Sequence, residues 1–234
     1  MITIRRAADR GSFDHGWLQT AHTFSFADYH DPAHVQFGSL RVLNEDVVAP
    51  GQGFGEHPHR DMEILTWVLR GALRHHDSMG HTEVLRPGEV QVMSAGTGVV
   101  HSEVNPSATE PVHLLQIWIV PDRRGLPPRY DQRAADRSAM RGKLLTIAAP
   151  PGQPAVVPIH QDVLIHATEL MAAERLAVPL RRGRRAWVQV ARGAFDLDGQ
   201  ALRAGDGAAI TDAEAFVLTG ASDGPAEALV FDLA

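Results

Sequence analysis

The sequence predicts an all-β protein built from two antiparallel β-barrels, and three observations lead to this fold class. Short apolar runs rich in Val, Ile and Leu recur along the whole chain. Segments with Gly and Pro, which favour turns, separate these runs. Segments with helical periodicity are few. Evenly spaced short strands with turns between them are typical of antiparallel sandwiches and barrels.

The clearest strands are predicted from apolar runs that are bounded by turn signals such as APGQGFG, RPGE and RAGD. We expect strands at residues 40–48, 63–71, 89–93, 113–120, 186–193 and 228–233. The segment ATELMAAERL, residues 167–176, is the best candidate for a short helix, with an irregular loop as the alternative, and residues 135–141 are a weaker candidate for a helix. The sequence therefore predicts few helices, all of them short.

Two passages of similar layout predict that the barrel is duplicated. LRGALRHHDSMGHTEVLRPGEVQVMSAGTG and ARGAFDLDGQALRAGDGAAITDAEA each read as strand, Gly turn, polar hairpin and further strand. The charged and Pro-rich stretch 121–143 is typical of a connection between two β units. We expect an N-terminal domain at residues 1–125, a linker at 126–143 and a C-terminal domain at 144–234.

Composition excludes several classes of function. The chain of 234 residues has a net charge of -6 with histidine neutral, so nucleic acid is not an expected partner. It has no cysteine, which excludes disulfides, thiol nucleophiles and cysteine-ligated metal clusters. No stretch approaches the run of about 20 apolar residues that spans a membrane, and none resembles a signal peptide. We expect a cytoplasmic monomer without a membrane partner.

Two pairs of polar residues predict a metal site. His57 and His59, and likewise His101 and Glu103, are two residues apart, so each pair shares one face of a strand. One such pair alone more often consists of surface or core residues that bind no metal. Here, however, both pairs follow glycine-rich turns that can direct side chains inward. Three imidazoles and one carboxylate suit Fe(II), Co, Ni, Cu or Mn with open coordination positions. This set is less typical of a closed structural zinc site.

The predicted second barrel lacks these residues. No histidine occurs across residues 167–234, although the chain has 13 histidines. We therefore expect one metal ion per chain, in the N-terminal domain, and a C-terminal domain without metal.

Four segments together resemble the pirin family. They are FDHGWLQTAHTFSFADYHDP, HPHRDMEILTWVLRGALRHHDSMG, RPGEVQVMSAGTGVVHSEVNPS and EPVHLLQIWIVP. The resemblance covers residues 10–125 strongly and the remainder loosely. Pirins are bicupins, with two jelly-roll barrels and metal in the N-terminal barrel only. The resemblance implies a mononuclear site with ligands His57, His59, His101 and Glu103. It implies Fe(II) as the metal, with Cu, Ni, Co, Mn or Zn as alternatives.

The resemblance also implies a choice between two functions. Several pirins act as quercetin 2,3-dioxygenases, which open the heterocycle of a flavonol with O2 and release CO. In that case the partners are a flat aromatic substrate and O2, and Glu103 accepts the substrate proton as the catalytic base. The animal pirin is also a nuclear, iron-dependent transcriptional co-regulator. In that case the metal controls the binding of a protein partner, and quercetinase activity is incidental.

The first cupin motif departs from the general cupin pattern. That pattern places a glutamate ligand shortly after the H-x-H pair, but here Ile64 takes that position and Glu63 precedes it. We therefore assign the carboxylate ligand to Glu103 and keep Glu63 as an alternative that supports the site indirectly.

Several further residues carry weaker expectations. His75, His76 and His81 are expected to be exposed in a hairpin. His113 precedes an apolar strand and is expected to face the barrel interior near the site. The apolar candidates for a pocket wall are Phe37, Phe54, Trp67 and Met93.

Overall fold

The computed structural model describes all residues, 1–234, and β-strands dominate it. Two short 3-10 helices, Ala7–Asp9 and Arg137–Met140, interrupt the strands. No helix is both long enough and apolar enough to span a lipid bilayer. In chain order, the strands are β1 (Ile2–Arg5), β2 (Gly11–Asp14), β3 (Leu18–His22), β4 (Leu40–Val48), β5 (Gly53–His59), β6 (Glu63–Arg70), β7 (Leu73–Asp77), β8 (Thr82–Leu85), β9 (Glu89–Ser94), β10 (Val99–Val104), β11 (Val112–Ile119), β12 (Arg129–Ala134), β13 (Leu145–Ala149), β14 (Val157–Pro158), β15 (Val163–Leu170), β16 (Arg175–Pro179), β17 (Arg185–Arg192), β18 (Ala194–Leu197), β19 (Gln200–Arg203), β20 (Gly207–Ile210), β21 (Ala215–Gly220) and β22 (Ala226–Leu233).

The chain divides into two compact units. The N-terminal unit consists of residues 11–135 and 156–161, and the C-terminal unit of residues 1–10, 136–155 and 162–234. Residues 1–10 belong to the C-terminal unit because β1 pairs with β20. The stretch expected to be a linker also has regular structure, since β12 pairs with β9 over six residues.

The N-terminal unit is formed by two antiparallel sheets. One has the strand order β12-β9-β6-β11-β4-β3-β2, and the other has the order β5-β10-β7-β8. A buried apolar cluster takes residues from both sheets, including Val68 and Leu114 from the first and Leu73 and Leu85 from the second. The two sheets therefore pack face to face, as in a jelly roll, rather than closing into a continuous barrel.

The C-terminal unit repeats this architecture. One sheet has the order β1-β20-β17-β22-β15-β13, and the other has the order β16-β21-β18-β19. Its core is a larger cluster of fully buried apolar residues, among them Phe195, Phe216 and Val230. The prediction of an all-β bicupin with few short helices is confirmed.

The six strands predicted from apolar runs are confirmed as β4, β6, β9, β11, β17 and β22. The predicted helix at residues 167–176 is wrong. Its first residues continue β15, and its last two begin β16. All eight residues of β15 have partners on β22, and alternate residues such as Val163, Ile165 and Ala167 are fully buried. Cross-strand pairing and burial with period two override the helix propensity of Ala, Glu and Leu.

The core of the C-terminal unit depends on a large ring at its centre. Phe195→Ala is expected to lower the free energy of unfolding by about 3–5 kcal/mol, because the side chain is fully buried and its removal leaves a cavity. Phe195→Leu keeps most of the volume and is expected to cost less than about 1.5 kcal/mol. Urea unfolding of the metal-free protein measures both changes. A cost for Phe195→Ala no larger than that for Phe195→Leu would contradict this account of the core.

Candidate metal centre

Three histidine rings converge between the two sheets of the N-terminal unit. The ring centroids of His57 and His59 are 4.7 Å apart, those of His57 and His101 are 4.5 Å apart, and those of His59 and His101 are 4.8 Å apart. Each ring offers a nitrogen within 4.8 Å of the other two. The structure thus brings together the three histidines that the sequence singled out.

The spacing of the nitrogens fits a metal ion. His57 Nε2 and His101 Nε2 are 3.0 Å apart. Metal–nitrogen bonds of about 2.0–2.1 Å at a right angle separate two ligand nitrogens by about 2.8–3.0 Å. The Nδ1 atom of His57 lies 2.7 Å from the carbonyl oxygen of Gly55, to which it can donate a hydrogen bond. That hydrogen bond leaves the lone pair of His57 Nε2 free for a metal.

The pairing of β5 with β10 creates this arrangement. His101 lies opposite His57, and Val99 lies opposite His59. The register shifts between His101 and Glu103, where β5 has one residue more than β10. Such a bulge re-aims the side chains on either side of it. Gly53 is required here, because a Cβ atom at this position would lie 2.2 Å from the carbonyl oxygen of Glu103.

The imidazoles of His59 and His101 are held in the neutral form that binds metals. Burial, together with the nearby His57, lowers the pKa of His59 to about 4. Burial also lowers the pKa of His101 to about 2, with further contributions from His57, His59 and His75. Protons therefore do not compete with a metal at these two rings near neutral pH.

Glu103 is a buried carboxyl group with an unusual proton affinity. Its Oε2 atom accepts a 2.8 Å hydrogen bond from Gln116 Nε2, and its Oε1 atom lies 3.4 Å from Thr66 Oγ1. Burial raises the pKa of Glu103 to about 7, and the negative charge of Asp46 adds to the increase. Glu103 can therefore both hold and release a proton in the neutral range.

The site opens into a small cavity of about 70 Å³. The cavity is lined by Phe26, Asn44, Asp46, Phe54, His57, His59, Glu103, Gln116 and Trp118. Three buried polar atoms on this lining, Asn44 Oδ1, Asp46 Oδ1 and Trp118 Nε1, have no hydrogen-bond partner in the protein. Buried polar atoms are rarely left unpaired, so this lining is suited to a polar ligand or to water molecules.

Five residues expected near the site lie elsewhere. Of the proposed pocket wall, only Phe54 lines the cavity, whereas Phe37 lies outside its lining and Trp67 and Met93 are buried in the core. His113 does not face the site. Its side chain is 29% exposed and its Nε2 atom lies 2.9 Å from Glu45 Oε1. Glu63 is buried and accepts a hydrogen bond from Ser94 Oγ, away from the cavity lining.

The expectation that His75 is exposed is wrong. Its ring is 1% exposed, and its Nδ1 atom lies 3.4 Å from His101 Nδ1. The signal that could have identified it is alternation along β7, where Leu73, His75 and Asp77 are buried and the residues between them are exposed. His76, on the outer face, is exposed as predicted.

Comparison with known proteins identifies the family. A family model described as pirin matches residues 3–119, and one described as quercetinase C-terminal cupin domain matches residues 146–233. The chain belongs to the pirin family. This pirin is 47% identical over 233 residues to a quercetin 2,3-dioxygenase of Escherichia coli K12, covering 100% of the chain and 99% of the relative. A putative quercetin 2,3-dioxygenase of Mycobacterium tuberculosis H37Rv is 44% identical over 234 residues, covering 99% and 95%.

Two solved structures share the fold of this pirin throughout. The crystal structure of YhhW from Escherichia coli has a TM-score of 0.95 at 45% identity, covering 100% of this chain and 98% of the other. The bacterial pirin YhhW in complex with nickel(II) has a TM-score of 0.93 at 45% identity, covering 100% and 99%. In its N-terminal unit, this pirin has two overlapping groups of side chains suited to a divalent metal ion, and they share His101. One group is His57, His59 and His101, and the other is His75, His101 and Glu103.

Gly53→Ala is expected to weaken metal binding and to lower the free energy of unfolding by about 1–3 kcal/mol, because the new methyl group pushes β5 away from the backbone of Glu103. Gly55→Ala is the matched control, since a Cβ at Gly55 meets nothing within 4 Å on the same strand. Chelator competition with Ni(II) and chemical unfolding measure the two effects. Equal affinities for the two variants would contradict the role of the close approach at Gly53.

Proposed function

We propose that this pirin is a metal-dependent dioxygenase that opens the heterocycle of a flavonol such as quercetin with O2 and releases CO. The observation that carries the proposal is that the buried carboxyl group of Glu103 lines one cavity with His57 and His59, whose rings converge with that of His101. Relatives that match the full length of the chain bear the name quercetin 2,3-dioxygenase, which supports the same activity.

We propose His57, His59, His101 and Glu103 as the metal ligands. The 3.0 Å separation of two imidazole nitrogens and the lowered pKa values of His59 and His101 support the three histidines. Glu103 is included because it lines the same cavity as His57 and His59. Fe(II) is the expected metal, and the donor set also accepts Ni, Cu, Co, Mn or Zn. When bound, the ion supplies positive charge that lowers the pKa of a hydroxyl group placed against it.

Glu103 is proposed to accept the proton of the enol hydroxyl group of the substrate. Its Oε1 atom has spare accepting capacity, because the hydroxyl hydrogen of Thr66 is donated to Gln116 Oε1 at the shorter distance of 3.0 Å. The hydrogen bond from Gln116 Nε2 to Oε2 holds the carboxylate in orientation. Burial raises the proton affinity of this carboxyl group, which suits a group that takes up a proton and gives it back.

The aromatic lining is proposed to receive the flat edge of the substrate. Trp118 packs edge-on against His59, with ring centroids 4.8 Å apart, and against Phe26 at 5.3 Å. Phe54 lines the same cavity. A flavonol of three rings is larger than this cavity, so its enol edge enters first and its remaining rings require these side chains to move.

We also propose that the protein acts as a cytoplasmic monomer with metal only in its N-terminal domain, residues 1–125. The lack of histidine across residues 167–234 supports a metal-free C-terminal domain at residues 144–234, joined by the segment 126–143.

The direct test is turnover of quercetin. Protein loaded with Fe(II) without oxygen is expected to consume quercetin when air is admitted, with loss of flavonol absorbance and one CO per molecule. At equal metal occupancy, Glu103→Gln is expected to lower kcat by about 10²–10⁴-fold, because it removes the proton acceptor. Glu56→Gln, the same change at an exposed position of β5, serves as the control. No loss of absorbance with any of the six metals at full occupancy would overturn the proposal.

Metal binding is expected to release a proton from Glu103 in acid but not in mildly basic solution. With a pKa of about 7, Glu103 is about nine-tenths protonated at pH 6 and about one-tenth protonated at pH 8. Metal affinity therefore falls as the pH drops below 7. Calorimetry of Ni(II) binding in buffers of different ionisation enthalpy counts the protons. The Glu103→Gln variant measures the number of protons released by all other groups. The difference in proton release between the wild-type protein and this variant should vanish towards pH 8. A difference of the same size at both pH values would contradict the assignment.

A further inference from the structure

The two ring nitrogens of His101 face different neighbours. Its Nε2 atom lies 3.0 Å from His57 Nε2, on the side of the proposed metal, and its Nδ1 atom lies 3.4 Å from His75 Nδ1. The Nε2 atom of His75 lies 2.9 Å from Asp77 Oδ2. Asp77 in turn lies 3.1 Å from Nδ1 of His81, whose side chain is 39% exposed. A continuous chain of side chains thus leads from the metal centre to the surface.

The proton positions along this chain depend on one another. A nitrogen that binds a metal carries no proton, so His101 with a free Nε2 must carry its proton on Nδ1. That proton can only be donated to His75 Nδ1, which must then be unprotonated. His75 consequently carries its own proton on Nε2 and donates it to Asp77.

Asp77 is the acceptor on which this order depends. Its Oδ1 atom accepts hydrogen bonds from the backbone N–H groups of Met79 at 2.9 Å and His81 at 3.2 Å. Burial raises the pKa of Asp77, but hydrogen bonds from His75 and His81 together outweigh that effect and hold the pKa below its ordinary value. An ionised carboxylate only accepts hydrogen bonds. Asp77 therefore fixes the direction of every bond in the chain.

The imidazole rings in this hydrogen-bonded series of side chains are also held in place by packing. Tyr130 stacks on His75 with ring centroids 4.6 Å apart, and on His81 at 4.8 Å. The Tyr130 hydroxyl group accepts a hydrogen bond from Gln91 Nε2 and donates one to Gln132 Oε1. These contacts leave the imidazole of His75 little freedom to turn away from His101.

We propose that Asp77, acting through His75, is a positioning residue that keeps His101 in the tautomer with Nε2 free for the metal. The proposal rests on the proposed function only in so far as His101 is a metal ligand. Partners of this kind behind a ligand histidine fix its tautomer and its orientation, and their removal commonly weakens metal binding about 10–100-fold.

The informative variant is Asp77→Asn, because the new amide group can donate as well as accept. An amide N–H pointing at His75 Nε2 moves the proton of His75 to Nδ1. This proton then meets His101 Nδ1 and drives the proton of His101 to Nε2, where it blocks metal binding. We expect Ni(II) to bind the variant about 10–100-fold more weakly in competition with a chromophoric chelator.

Two further variants distinguish a change of histidine tautomer from a general loss of structure. His75→Phe keeps an aromatic ring against Tyr130 but lacks the nitrogen acceptor, and it is expected to weaken Ni(II) binding to a similar extent. His76→Ala is the matched control, since His76 lies on the same strand but faces outward, with its Nδ1 atom 2.8 Å from Thr82 Oγ1. It is expected to bind Ni(II) like the wild-type protein.

The tautomers themselves can be observed. Long-range ¹H–¹⁵N spectra of the wild-type protein loaded with diamagnetic Zn(II) are expected to show His75 protonated on Nε2 and His101 protonated on Nδ1. In Asp77→Asn the protonated nitrogen of His75 is expected to change. Wild-type His75 protonated on Nδ1 would overturn the proposal, even if the Asp77 variant fails to fold.

The outcomes distinguish this inference from the proposed function. If His101→Ala still binds Ni(II) with wild-type affinity, the proposed metal site itself is wrong. If His101→Ala loses the metal while folded Asp77→Asn and His75→Phe bind within twofold of the wild-type protein, only the positioning role fails.

Discussion

The antiparallel pairing of β10 with two neighbours is the constraint on which the site depends. Strand β10 lies between β5 and β7, so His101 is opposite His57 on one side and Asp77 on the other. One strand thereby positions a metal-binding face and the hydrogen-bonded support behind it. Because side chains alternate with period two, a slip of one residue along β10 would turn both His101 and Glu103 away from the interior.

Within this frame, the number of hydrogen-bond donors decides what each buried carboxyl group does. Asp77 receives hydrogen bonds from two backbone amides and two imidazoles, and its pKa stays low despite burial. Glu103 receives one strong hydrogen bond, from Gln116, and its pKa rises to about 7. The same protein interior therefore produces a permanent anion at one position and a proton acceptor at the other, with roles set by local partners rather than by residue type.

The sequence alone was sufficient to predict site residues whose orientation follows from a local pattern. It was insufficient for residues whose orientation depends on the register between strands. The spacing of two in His57–His59 and in His101–Glu103 requires only a strand to bring each pair to one face. The three imidazoles lie together, and Glu103 lines the same cavity as His57 and His59. His75 and His76 are adjacent, so exactly one of them faces inward, and which one depends on the pairing of β7 with β10. The error at His113 has the same origin, because the site-facing residues of β11 are its even-numbered neighbours, such as Gln116.

The charge balance of the cavity explains why this fold is suited to a cation. Asp46 and Glu103 are both buried, and burial raises the pKa of Asp46 to about 6 and that of Glu103 to about 7. A raised pKa means that the folded state binds these protons more tightly than the unfolded state. The cost of holding the two carboxylates therefore grows as the pH rises from about 4 to about 7 and is complete above that range. A dication among neutral imidazoles offsets this cost, so metal binding should stabilise the N-terminal unit most strongly at and above neutral pH.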